Sequence, residues 1–154
     1  MLDPFGTAAD RFRLPATGPT DDMHPGWPES TPFVRLPASA VFPSGARMRL
    51  RPLLRSDGHE WRRQRIEDES FLRSVEPTQA APWAAAHSQQ AWWNHLMYLR
   101  TAAREALVIP LVIEVEGKFA GQVTLGNIQH GSIRDCWIGY WVYSAIHGAG
   151  VATA

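Results

Sequence analysis

Seven residues near the end of this 154-residue chain, His147-Gly148-Ala149-Gly150-Val151-Ala152-Thr153, have the composition of an anion cradle. The small residues at 148 to 150 let backbone approach a ligand closely. A helix beginning there would aim its unpaired N–H groups and its positive dipole end at the same point. Phosphate is the group such a turn suits. A Walker-type loop needs Gly-Lys-Ser/Thr, which is absent, and a dinucleotide-binding turn needs glycine where Thr153 stands. Neither nucleotide motif fits.

Other residues that could do chemistry are scattered. Glu67, Asp68 and Glu69 form an acidic run that could supply a general base, though a solvated helix end is the first reading. The histidines at 24, 59, 87, 95, 130 and 147 contain no His-x-x-x-His or other close ligand pair, so no metal site is predicted. Cys136 is the sole cysteine, which excludes an intrachain disulfide and a cysteine zinc cluster; it reads as a small core residue. Trp61, Trp83, Trp92 and Trp93 read as core, with an acceptor groove as the sharper alternative. Asn127 in "LGNI" is either a turn former or a substrate contact. The arginines from Arg47 to Arg65 read as a solvated face.

The elements that must position the turn follow from periodicity. Residues 1–40 are rich in proline and lack apolar periodicity, so a disordered extension is expected there, with the domain proper over 41–154. "ARMRLRPL" alternates as a half-buried strand does and is read as the first of the domain. Ser56 or Asp57 then caps a short helix, with Glu60 at capping-box spacing. A longer helix starts near Ser88 and runs to about Arg104, since Trp92, Leu96, Leu99 and Ala103 recur on one face and Trp93 and Met97 widen it. Glu116-Gly117 joins two strands in a hairpin, with Pro110 at the start of the first. "CWIGYWVY" carries no charge and is expected to be a central strand covered on both faces. The result is an α/β or α+β domain.

Composition narrows the class further. Apolar residues make up 45% of the chain and aromatics 10%, enough for a core. Fifteen Lys+Arg balance fifteen Asp+Glu, so no bulk field gathers nucleic acid or an anionic membrane. The start lacks a basic-then-apolar leader, and "ALVIPLVIEV" is far shorter than the roughly 20 residues of a membrane span. A cytoplasmic protein with no membrane association is expected; the oligomeric state is left open.

The terminal turn resembles the acyl-CoA pyrophosphate loop of the GNAT N-acetyltransferases. That pattern is Gln or Arg, two free positions, Gly, one free position, then Gly or Ala; here it is His147 to Ala152, with histidine in the first place. "VFPSGARMRLRPLLRSDGHEWRRQR", "LVIEVEGKFAGQVTLGNI" and "WIGYWVYSAIHGAGVATA" resemble, in order, the RimJ/RimL-type ribosomal-protein-alanine N-acetyltransferase branch. The resemblance implies the acyl-CoA N-acyltransferase fold, a mixed and mostly antiparallel sheet flanked by helices. It implies acetyl-CoA as cosubstrate and an amine acceptor, foremost a protein N-terminus. It implies that Tyr140, Trp141 and Val142 of the family's fourth strand lie beside the pantetheine and thioester, and that His147, Gly148, Ala149, Gly150, Val151, Ala152 and Thr153 surround the pyrophosphate. The catalytic base and acid are not assigned. A non-catalytic acyl-CoA-binding or interaction module is the alternative.

Four residues after Gly150 cannot hold a helix in water, because isolated helices shorter than about 12 to 15 residues are marginal. The chain is therefore expected to be a fragment that ends inside the cofactor motif, with the fold incomplete at its C-terminus and this stretch inactive by itself.

Overall fold

Alternating and β-branched runs form five strands: β1 (Val34–Leu36), β2 (Ala46–Pro52), β3 (Ile109–Val115), β4 (Lys118–Gly126) and β5 (Trp137–Val142). The structure, a computed structural model, describes residues 30–154. The strands make one sheet in sequential order, every neighbouring pair antiparallel. Four helices accompany them: α1 (Gly58–Glu67), α2 (Glu69–Leu72), α3 (Trp83–Ala86) and α4 (Gln89–Arg104). The α+β class is as expected.

The expected boundary at residue 40 moves. Residues 1–29 lie outside the described residues, but β1 falls within the stretch expected to be disordered. It pairs Val34 with Met48, and Leu36 is fully buried. "ARMRLRPL" is thus the second strand and the family's fourth strand is β5. Three prolines in ten residues (Pro28, Pro32, Pro37) hid a strand too short to show a period.

Each face of the sheet has its own core. On one, α1 and α4 pack Trp61, Trp92, Leu96 and Leu99 against Val112 and Phe119. On the other, Met48, Ile113, Val115 and Val142 are covered by Leu36 and by Ala149 and Val151 of the terminal turn. Burial of each large side chain contributes about 1.5–3 kcal/mol. The helix α4 starts as expected, the Ser88 hydroxyl accepting the Ala91 N–H at 3.1 Å. Trp93 and Met97 do not join its buried stripe; both are exposed, and the Arg55 guanidinium lies over the Trp93 ring.

Asp57 does not make the expected capping box with Glu60. Its carboxylate accepts the Leu54 N–H at 2.7 Å and both terminal nitrogens of Arg51, while Glu60 pairs with Arg63. Arg51 also reaches Glu114 of β3 at 2.6 Å. The arginines are therefore not all a solvated face: Arg51 and Arg65 are enclosed, each held by carboxylates.

The β5 strand is the outermost strand of the described sheet, not a central one, and Trp137, Ile138 and Tyr140 are exposed. Cys136 precedes it and is exposed, not a core residue. What seats β5 is an irregularity in β4, where the register slips between Val112/Gln122 and Glu114/Phe119. Gly121 lies there at φ +145°, and a Cβ on it would stand 2.2 Å from the Trp141 carbonyl oxygen. Only glycine lets the backbone of Trp141 and Val142 come so close.

Candidate functional site

An open cavity of about 1090 Å³ runs from the terminal turn along β5 to the helices. Of the residues singled out in the sequence, Tyr140, Trp141, Val142, His147, Gly148, Gly150, Val151, Ala152 and Thr153 line it. Ala149 does not, being buried beneath the turn in the core. Asn127 lies outside the lining too, at φ +51° just past β4, a left-handed position that asparagine tolerates.

The turn is built by local hydrogen bonds. Ile146 N–H donates to Tyr143 and His147 N–H to Ser144, closing a 3-10 turn over Ser144–Ile146. His147 Nε2–H then donates back to the Val142 carbonyl at 2.8 Å, tying the turn to the end of β5. Gly148 and Gly150 follow at φ +81° and +79°. The expected helix is a single 3-10 turn, Val151–Thr153, so no macrodipole forms. Free donors remain: the N–H groups of Gly148, Gly150, Val151 and Ala152 bond no carbonyl of the described residues, whereas Ala149 and Thr153 N–H donate to Ile146 and Gly150. Successive backbone N–H groups in such a turn make an anion-binding concavity.

The strand edge contributes further donors. Tyr143 N–H points inward to Ala120, so by alternation the N–H groups of Tyr140 and Val142 point away from β4 to the open edge.

Opposite the turn, the wall is aromatic and nearly uncharged. The Arg65 guanidinium lies 5.3 to 5.6 Å from the rings of Trp61, Trp83 and Trp141 and bonds Glu76 at 2.5 Å. Trp61 serves core and cavity wall together, Trp92 packs behind it in the core, and His95 stacks on Trp61 at 5.3 Å. Burial, helped by the Arg65 charge, pushes the His95 imidazole down to about 4, so it is neutral at pH 7. The Gln122 side chain bonds the same ring, and Nε2 has no partner among the described residues. His95 follows Trp92 by three residues in α4. That spacing was the available sign that it faces inward.

Of the acidic run, none lines the cavity. Glu69 pairs with Arg73 on the surface. Glu67 accepts from Tyr143 O–H and Arg63, bonds that hold its carboxyl below the usual range. Asp68 is buried and accepts from Ser144, so the solvated-end reading fails there. Among the described residues no group of three or more His, Cys, Asp or Glu is placed to hold a metal, and no helix is long and apolar enough to cross a membrane.

Comparison with known proteins agrees with this geometry. No protein-family model and no curated protein sequence matches the chain. Among solved structures, it is similar to Mycobacterium smegmatis RimJ in complex with CoA-disulfide, at 40% identity and TM-score 0.75, over 86% of this chain and 60% of that one. The ribosomal-protein-S5-alanine acetyltransferase from Vibrio fischeri shares the fold at 18% identity and TM-score 0.60, over 77% of this chain and 61% of its own. The chain thus spans about three fifths of the length of these relatives. With that identity over most of its residues, the chain is similar to RimJ and has the fold of the GNAT N-acetyltransferases.

Proposed function

We propose that this protein is an acetyl-CoA-dependent N-acetyltransferase whose acceptor is the N-terminal α-amine of a ribosomal protein. The observation that carries the reading is the convergence of unpaired turn N–H groups and the open edge of β5 on one cavity. The 40% identity to a CoA-bound RimJ supports it. In this reading the N–H groups of Gly148, Gly150, Val151 and Ala152 hold the pyrophosphate. Tyr140 and Val142 pair with the pantetheine arm along the edge, with Trp141 as its wall. The cytoplasm is the proposed setting.

Acetyl transfer then needs little from the protein beyond placement. The amine nitrogen attacks the thioester carbonyl carbon, the C–N bond forms and the C–S bond breaks. The amine loses a proton and the departing thiolate gains one. An α-amine near 7.7 to 8.0 is about a tenth neutral at pH 7, whereas a lysine amine near 10.4 is almost wholly charged. The aromatic wall of Trp61 and His95 favours the neutral form further by desolvation. The Val142 N–H faces the oxygen that becomes an oxyanion, a role worth roughly 2.7–4 kcal/mol at comparable sites.

Calorimetric titration with CoA tests the binding half, and thiol release from acetyl-CoA tests the transfer half. Saturable binding is expected and, in a version of the protein extended to the length of its relatives, release stimulated by a peptide bearing a free N-terminal alanine and not by its Nα-blocked, lysine-containing counterpart. A protein that takes up no CoA overturns the proposal; binding without release on either peptide leaves a non-catalytic acyl-CoA module.

A further inference from the structure

We infer that Asp68 is a positioning residue for the cofactor turn, an inference that rests on the acyl-CoA reading of that turn. Asp68 immediately precedes α2, where a carboxylate ordinarily accepts from the N–H groups of the first helical turn. Its side chain makes no such bond; only its backbone carbonyl receives the Phe71 and Leu72 N–H groups. The carboxylate turns instead to a residue 76 positions further on. Oδ2 accepts the Ser144 N–H at 2.8 Å and Oδ1 the Ser144 O–H at 2.5 Å. At 4% exposure Asp68 has left water, and a buried carboxylate is tolerated only where donors replace it. Ser144 supplies both.

Ser144 is the hinge between strand and turn. It follows Tyr143 at the end of β5 and opens the 3-10 turn that leads to His147. Its N–H is one of those a helical turn leaves without an internal partner, and Asp68 provides the acceptor from a different element. Neighbouring contacts run the same way. Glu67 accepts from Tyr143 O–H, and the Phe71 ring meets His147 edge-on at 5.1 Å. The direction in which the chain leaves β5, and so the aim of the Gly148 and Gly150 N–H groups, is set by the junction of α1 and α2. Hydrogen bonds weaken steeply with angle, so a turn that swings loses donors to phosphate without losing its fold.

The test is CoA affinity, by calorimetry on the whole chain, for wild type, Asp68→Ala, Asp68→Asn, Ser144→Ala and the Asp68→Ala/Ser144→Ala double variant, with Tm measured on each. Asp68→Ala should weaken CoA about tenfold, and Asp68→Asn less, because its amide oxygen still accepts one bond. Ser144→Ala should weaken it about threefold, and the double variant no more than Asp68→Ala alone, since the shared bond is already gone. A purely structural Asp68 would lower Tm and leave the Kd unchanged well below Tm; that result, or additive single effects, overturns the inference. Should Asp68→Ala fail to fold, Ser144→Ala decides alone, because it removes one hydroxyl from an exposed residue, and an unchanged Kd there also overturns it. Wild type that binds no CoA removes the acyl-CoA reading and this inference with it.

Discussion

Gly150 holds a left-handed conformation at φ +79°, ψ +13°, and a Cβ placed on it would meet only ordinary contacts, Thr153 Oγ1 at 3.7 Å and Pro37 at 3.8 Å. A side chain at 150 would therefore act through the backbone. Left-handed conformation costs a non-glycine residue about 1–2 kcal/mol, more for a β-branched one, and the turn can escape that strain by reorienting its N–H groups. Gly150→Val should weaken CoA binding by at least about tenfold. Unchanged calorimetric affinity would show that the turn is not what holds the phosphates. His147 carries a different lesson. It replaces the family's Gln or Arg, yet its Nε2–H closes on Val142, a bond that keeps the turn folded onto β5. In the proposed reading backbone N–H groups hold the pyrophosphate, so that exchange of side chain leaves the cradle in place.

Between elements, a buried ionic network decides where α1 begins. Arg51 on β2 bonds Asp57 at 2.8 Å and Glu114 on β3 at 2.6 Å, and Arg49 adds a second bond to Glu114. Strand, 3-10 turn and neighbouring strand are thereby locked together ahead of the helix that carries Trp61 and Arg65. Although burial opposes its charge, the Glu114 carboxyl is held below the usual range by the two arginines. Removing one partner of such a set strands the other charge, and that loss is about 3–5 kcal/mol where it has been measured. Asp57→Ala should lower Tm by more than about 10 °C, read by circular dichroism. A shift below 2 °C would mean that water compensates Arg51 and that the network is decorative.

For the molecule as a whole, the buried histidines set the acid side of stability. The His95 imidazole falls from the ordinary 6.5 to about 4 through burial and the Arg65 charge, opposed by its bond to Gln122, and His87 shifts downward as well, chiefly by burial. Unfolded, His95 takes up a proton near 6.5; folded, it does so only near 4. Below pH 6.5 the unfolded chain thus binds a proton that the folded one refuses, and stability declines until about pH 4, by roughly 3 kcal/mol from His95. Denaturant titrations between pH 7 and 4.5 should show that decline, and His95→Phe should flatten it. An equally steep decline in the variant would assign the effect elsewhere.

The parts legible in the sequence are those governed by neighbours along the chain. The α4 stripe with its Ser88 cap, the Glu116-Gly117 hairpin and the glycine turn all follow from spacing, because capping, positive φ and amphipathic period act over a few residues. The candidate cofactor residues were legible for the same reason, being one strand and the turn that continues it. Tertiary structure alone decided the rest. Whether an uncharged run such as β5 lies inside a sheet or at its edge depends on which strands reach it, and only β4 does so among the described residues. Whether Asp68 meets water or Ser144 depends on a contact across 76 residues, and whether Arg51 and Arg65 are solvated depends on Glu114 and Glu76 arriving beside them. Charge and polarity are written in the sequence, but the partner that makes a buried charge tolerable is chosen by the fold.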